Sequence, residues 1–123
     1  LHPVPDTYFE RTADEALRSD VYAEIFLFEC ENEAAGYGLI AKTYSQEAGG
    51  MVWWIEEVYV REAFRSKGIG REFFAYLDKV KGSAVTRMRL EVEEDNTRAV
   101  ALYKKLGYKP LEYAQMIKDA PLK

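Results

Sequence analysis

A chain of 123 residues with 48% hydrophobic content is long enough for one hydrophobic core and too short for two, so a single domain spanning residues 1–123 is expected. Its net charge of −4, from 17 basic and 21 acidic residues, argues against a general nucleic-acid-binding protein, which would need a broad positive face. No apolar run reaches the roughly 18 residues of a membrane span, and the acidic start lacks the parts of a signal peptide. We therefore expect a cytoplasmic protein that binds no membrane.

The single cysteine and the single histidine exclude several kinds of site. Cys30 lies inside an apolar run, which predicts a small buried hydrophobe and excludes disulfides and cysteine-rich zinc sites. His2 lies next to the chain start, which argues against Ser-His-Asp and Cys-His catalytic sites. No metal is expected. The chemistry must therefore use carboxylates, Tyr, Lys, Arg, backbone groups or a cofactor.

The first half of the chain predicts one helix and three strands. Thr12 and Glu15 have the spacing of a capping box, which predicts a short helix at about residues 13–19. Three segments rich in β-branched and aromatic residues follow, with turn residues at 31–36 and 46–50 between them. The predicted antiparallel strands are residues 21–31, 37–45 and 51–60.

The second half alternates helix and strand. Apolar residues recur at helical spacing in two segments, and each segment ends at a glycine. The first stripe comprises Ile69, Phe73, Leu77 and Val80, and the second comprises Ala99, Leu102, Tyr103 and Leu106. Residues 86–92 alternate apolar and charged, as in a half-buried strand, and residues 111–118 are predicted to be a last strand. The predicted order is helix, three strands, helix, strand, helix, strand.

A basic, glycine-containing turn separates the third strand from the following helix. The first N–H groups of a helix lack intrahelical partners and carry the positive end of its dipole, so they bind anions, and glycine lets a phosphate approach closely. Residues 61–71 contain four basic side chains and one acidic side chain, a local charge of +3. This predicts a polyanionic ligand, namely a pyrophosphate. The alternative is a glycine-relieved turn with solvated basic side chains. A dinucleotide fingerprint would need glycine where Phe73 stands, and no P-loop motif occurs.

Two motifs in this order resemble a known family. RSKGIG, residues 65–70, looks like the R-x-x-G-x-G/A signature of the GNAT acyltransferase superfamily, and Asn96 followed by AxxLYxxLGY is similar to its asparagine-helix-tyrosine segment. The resemblance covers about residues 21–118. It implies an α/β fold whose central mixed antiparallel and parallel sheet is flanked by helices. In that fold the strands at 51–60 and 86–92 splay apart around an acyl-CoA thioester. The family's usual first strand and long first helix are expected to be absent.

The resemblance also implies roles for individual residues, with acetyl-CoA as the co-substrate. Backbone groups of Val58, Tyr59 and Val60 would bind the pantetheine arm, and Asn96 would bind it from the start of the last predicted helix. Tyr103 would be the general acid that protonates the departing thiolate, the alternative being a core tyrosine. The pyrophosphate would be held by Arg65, Ser66, Lys67, Gly68, Ile69, Gly70 and Arg71.

The acceptor is expected to be an amine that loses a proton during transfer. An alkylamine has a pKa near ~10.4, so a base is needed at neutral pH. Glu56 and Glu57 are the candidates; as neighbours on a regular strand they would point to opposite faces unless the sheet is bulged there. This acidic pair suggests the spermidine/spermine-type branch, and the acidic loop at 91–95 would attract a cation. A small cationic amine is therefore the predicted acceptor and a homodimer is among the expectations. The alternatives are a non-catalytic acyl-CoA-binding module and an acetyltransferase of peptide or protein amines.

Overall fold

The structure, a computed structural model, describes residues 4–121 as a larger unit that ends at Glu91 and a smaller one that begins at Val92. The larger unit contains, in chain order, α1 (Asp6–Arg18), β1 (Ala23–Cys30), β2 (Glu33–Ser45), β3 (Gly50–Val60), a 3-10 turn (Glu62–Phe64), α2 (Ile69–Val80) and β4 (Val85–Leu90). The smaller unit contains α3 (Thr97–Lys105). None of the helices within residues 4–121 is long and apolar enough to cross a bilayer.

The four strands form one mixed sheet in the order β1-β2-β3-β4. β1, β2 and β3 pair antiparallel, and β4 pairs parallel to β3, which confirms the mixed sheet predicted above. The turn between β1 and β2 is shorter than predicted. Glu31 and Asn32 both have positive φ, 54° and 66°, as in the two-residue hairpin turns that fit the twist of paired strands. β2 therefore begins at Glu33 rather than at Tyr37.

Helix α2 packs on one face of this sheet, called here the helix face. Phe73, at the centre of α2, places its ring 5.5 Å from that of Phe26 and 5.0 Å from that of Phe28. Gly38 of β2 makes this close packing possible, because a Cβ there would lie 2.4 Å from the Phe73 ring. The helix has the predicted bounds, although Phe74 rather than Val80 joins Phe73 and Leu77 among its buried residues.

The first helix begins before the position predicted for it. α1 starts at Asp6, directly after Pro5, and the hydroxyl of Thr12 donates to the carbonyl of Tyr8 at 2.9 Å within the helix. Thr12 therefore does not cap the helix, and the predicted helix start at this spacing is wrong. The sequence signal at the true start is Pro5, whose fixed φ of −59° suits a helix entry.

The predicted last strand is absent from the described residues. The segment 111–118 has no ladder partner, and the neighbouring residues Met116 and Ile117 are 95% and 86% exposed. In a half-buried strand one of two neighbours would face the core. The apolar and aromatic residues of this segment therefore do not suffice for a strand, because strand formation depends on a paired neighbour and a covered face. Cys30, predicted to be buried, is half-buried at the end of β1.

Candidate active site

The turn before α2 leaves the first N–H groups of the helix without a cap. Its backbone is left-handed at Ser66, where φ is +66°, and at Gly68, where φ is +80°. No side chain caps α2. Among residues 4–121, no acceptor takes a hydrogen bond from the N–H groups of residues 66–71. The turn therefore has the backbone geometry of an anion site at a helix N-terminus.

Three cations at this turn have no acidic partner. Within the described residues no carboxylate lies within 4.0 Å of Arg65, Lys67 or Arg71. The Arg65 Nε donates to the Val60 carbonyl oxygen at 2.9 Å, which holds its guanidinium beside the end of β3. The fourth cation differs, because the Arg61 guanidinium donates to the Ala34 carbonyl oxygen at 2.6 Å. Arg61 thus ties the turn to the start of β2.

Gly70 has no structural reason within the described chain to be glycine. A Cβ at this position would meet no atom within 4 Å, and its φ lies outside the left-handed region. A glycine inside a helix costs about 1 kcal/mol relative to alanine. Gly68 differs, since its φ of +80° favours glycine. The backbone at Gly70 is therefore open to the close approach of a ligand.

β3 continues past the point where its pairing with β4 stops. The last pair of the parallel ladder is Ile55 with Leu90, so no strand among residues 4–121 pairs with residues 56–60 of β3 on the side away from β2. The Arg61 N–H donates to the Ala35 carbonyl oxygen at 2.7 Å, which makes this a hydrogen-bonded pair.

The alternation of an antiparallel ladder then decides which backbone groups of β3 are available. It directs the N–H and C=O groups of Tyr59 towards β2 and the N–H and C=O groups of Val58 and Val60 towards the unpaired edge. The Val60 carbonyl oxygen there already accepts from Arg65. Of the three predicted pantetheine-binding residues, Val58 and Val60 thus face the edge, and Tyr59 does not present its backbone there.

A β-bulge lies at the two acidic residues of β3. The successive β2 residues Leu39 and Ile40 pair with Glu57 and Ile55, so Glu56 is an extra residue without an opposite partner. The expectation that Glu56 and Glu57 point to opposite faces assumed a regular strand, and the bulge interrupts the regular alternation at these two residues. Glu56 is exposed and Glu57 is half-buried.

A hydrogen bond to Tyr37 holds the second of these carboxylates. The Tyr37 hydroxyl donates to Glu57 Oε1 at 2.8 Å, and the Tyr37 ring lies 5.8 Å from that of Tyr59. Burial, and secondly the hydrogen bond to Glu57, raise the pKa of Tyr37 to about 12. The hydroxyl consequently keeps its proton at neutral pH and acts as the donor in this pair.

The smaller unit contains the other two predicted site residues. Asn96 is the N-cap of α3, where its Oδ1 accepts from the Ala99 N–H at 3.2 Å, so its amide NH₂ is the group left to donate. Tyr103 is half-buried in α3, and burial raises the pKa of its hydroxyl. It is therefore protonated at neutral pH, the state that a proton donor requires. In the part of the chain that the structure describes, no three His, Cys, Asp or Glu side chains cluster as a metal site would need.

Comparison with known proteins decides the family. The sequence profile described as acetyltransferase (GNAT) family matches residues 2–108. This chain belongs to the acetyltransferase (GNAT) family. It is an acetyl-CoA-dependent N-acyltransferase, as the two sequence motifs predicted. A relative from Bos taurus, thialysine N-epsilon-acetyltransferase, is 30% identical over 119 residues, which cover 85% of this chain and 69% of that enzyme.

Solved structures show that this acetyltransferase has the fold of its family. The structure of "a possible acetyltransferase from Clostridium difficile 630" superposes with a TM-score of 0.83 at 21% identity, over 98% of this chain and 81% of that one. The aminoglycoside N-acetyltransferase AAC(6')-Iy in complex with a CoA-containing bisubstrate analogue superposes with a TM-score of 0.76 at 18% identity, over 95% and 82% of the two chains.

The sequence did not predict the contacts of Tyr37 and Arg61 in this GNAT acetyltransferase. Arg61, one of the four basic residues of the turn, bonds a carbonyl oxygen and lies over the Phe64 ring. The sequence predicts Tyr37 only as a strand residue. Its contacts follow from the register of β2 and β3, which the loop at residues 46–49 joins, because this register places Tyr37 opposite Tyr59 and diagonal to Glu57.

Proposed function

We propose that this acetyltransferase transfers the acetyl group of acetyl-CoA to the primary amine of a small cationic acceptor, by direct attack in a ternary complex. The observation that carries the proposal is the turn before α2, where unsatisfied N–H groups and three cations without ion pairs lie together. The relatives named for thialysine and for an aminoglycoside support the acceptor class, because both names describe cationic amines.

The co-substrate is proposed to lie along two features of the larger unit. Residues 65–71 bind the pyrophosphate through backbone N–H groups and through Arg65, Lys67 and Arg71, and Gly70 lets it approach. The pantetheine arm continues along the unpaired edge of β3, where the Val58 backbone and the Val60 N–H offer hydrogen bonds. Asn96 is proposed to donate its amide NH₂ to the same arm.

The proposed chemistry moves one acetyl group and two protons. The amine nitrogen attacks the thioester carbonyl carbon, the carbon–sulfur bond breaks, and the products are an acetamide and CoA thiol. Glu56 or Glu57 takes the amine proton, directly or through water. The Val58 N–H stabilises the oxyanion, an interaction of the kind worth ~3 kcal/mol. Tyr103 gives its proton to the departing thiolate. Burial raises the pKa of Tyr103, so its hydroxyl carries the proton at neutral pH.

The test of CoA binding uses the two ends of α2. Gly68→Asp places a carboxylate where the pyrophosphate is proposed to bind, and calorimetry should show at least a hundredfold loss of CoA affinity. Gly82→Asp is the matched control, because Gly82 has a similar φ of +70° and likewise no atom within 4 Å of a Cβ, at the other end of the same helix. It should bind CoA like wild type. Undiminished affinity in a folded Gly68→Asp protein would contradict the site.

Turnover separates the enzyme from a module that only holds acyl-CoA. Thiol release from acetyl-CoA should rise with spermidine or lysine as acceptor and stay at its background level with glutamate. A protein that binds CoA but releases no thiol with any amine would favour the non-catalytic alternative. Transfer to a basic peptide but to neither small amine would favour the peptide alternative.

A further inference from the structure

The face of the sheet opposite α2 carries a polar group set in aromatic surroundings. Tyr37 and Tyr59 are directly opposite each other on β2 and β3, and Glu57 precedes Tyr59 by two residues on the same face. On the neighbouring strand the partner of Tyr37 is Leu27, whose side chain is 79% exposed. Tyr59 is itself 42% exposed. Within the larger unit this part of the sheet is therefore accessible to a ligand.

The two carboxylates of the bulge differ in how firmly they are held. Glu57 is half-buried and one of its oxygens accepts from the Tyr37 hydroxyl at 2.8 Å. Its other oxygen, Oε2, has no partner among the described residues. Glu56 is exposed and has no partner in the same part of the chain. One carboxylate is thus oriented in advance, with an oxygen left to bind, and the other is free to turn in water.

We propose that Tyr37 is a positioning residue that fixes Glu57 to bind an ammonium group of the acceptor. The inference rests on the proposed function and adds to it the residue that determines acceptor binding. A fixed carboxylate next to two tyrosine rings suits an alkylammonium, because the carboxylate attracts the charge and the ring faces attract it further. Because Tyr37 already orients the Glu57 carboxylate, the carboxylate loses less rotamer entropy when the acceptor binds. Glu56 is then the carboxylate that can relay the amine proton through water.

The test is a double-mutant cycle with spermidine and lysine as acceptors at saturating acetyl-CoA. Tyr37→Phe keeps the ring and removes the hydroxyl, so KM for these amines should rise roughly tenfold with little change in kcat, the size expected for one hydrogen bond to a charged group. Glu57→Gln should raise KM at least as much. In the Glu57→Gln background the effect of Tyr37→Phe should disappear, because Tyr37 acts through that carboxylate.

The control is Tyr44→Phe, the same chemical change on the same strand at a side chain that is 69% exposed. It should leave KM and kcat unchanged. A Tyr37→Phe protein with unchanged KM, or equal Tyr37→Phe effects in both backgrounds, would overturn the inference and leave the proposed function intact. The proposed function itself fails in a different way, by the absence of acetyl transfer in the wild-type protein. Calorimetry of CoA binding, which Tyr37→Phe should not alter, distinguishes a local effect from a misfolded variant.

Discussion

The candidate site combines residues that are neighbours in the sequence with residues that the register of the sheet brings together. The glycines and cations of residues 65–71 stand in one continuous motif, so they could be named before the fold was known. Tyr37 and Glu57 are 20 residues apart and meet only because the loop at residues 46–49 and the bulge at Glu56 set the register of β2 and β3. A single sequence does not reveal a bulge, since the extra residue leaves no mark on composition.

Tyr103 offers a test at the residue scale. Tyr103→Phe keeps the ring and its packing and removes the proton that we propose goes to the thiolate. Turnover should fall roughly 10²-fold, as for loss of a general acid, and CoA affinity and melting temperature should change little. Tyr113→Phe, an exposed tyrosine in the same unit, is the control and should be fully active. Unchanged turnover in Tyr103→Phe would mean that water is the acid and that Tyr103 only packs.

At the scale of elements, local sequence signals predicted the helices and the paired strands. They also predicted a strand in a segment that has no paired neighbour among the described residues. The bounds of α2 are those predicted, because its apolar stripe, its entry glycines and its closing Gly82 agree with one another. Residues 111–118 have a strand-like pattern yet no partner within the described chain. The pairing of β4 with β3 could be predicted from the family resemblance, but not the residue at which it stops.

The packing of α2 on β2 gives a prediction for stability. Gly38→Ala puts a Cβ 2.4 Å from the Phe73 ring, which Phe26, Phe28 and the sheet hold in place, so the free energy of unfolding should fall by about 1–3 kcal/mol. The same substitution at Gly70, which has no neighbour within 4 Å, should leave stability unchanged or raise it by up to about 1 kcal/mol. Urea denaturation measures both. Equal effects of the two substitutions would show that Phe73 is not held against β2.

For the molecule as a whole, the composition predicts the sign of the net charge but not where the charges lie. A chain of net charge −4 carries a local charge of +3 at residues 61–71, so the segment proposed to attract the anionic co-substrate differs in sign from the chain as a whole. The family and its mixed sheet were predictable from the two motifs. The single-domain organisation, the cytoplasmic location and the homodimer remain predictions.

Salt should weaken acceptor capture. At saturating acetyl-CoA, kcat/KM for spermidine should fall several-fold between about 0.01 M and about 0.15 M salt, as the Debye length drops from roughly 30 Å to roughly 8 Å. Butylamine, with one positive charge, should show a smaller fall. A preference for glutamate, or a spermidine rate that ignores salt, would show that the acidic residues do not steer the acceptor.

The early end of β4 has a consequence for self-association. A strand edge with unpaired N–H and C=O groups is a template on which another chain can add a strand. In this protein the edge is only five residues long, residues 56–60, and it begins at a bulge, which twists the backbone away from the flat geometry that strand addition needs. A flexible molecule that requires two or three hydrogen bonds is accommodated by such an edge. A second polypeptide that needs a continuous ladder of hydrogen bonds is not accommodated. The edge can therefore stay open for a ligand without promoting aggregation.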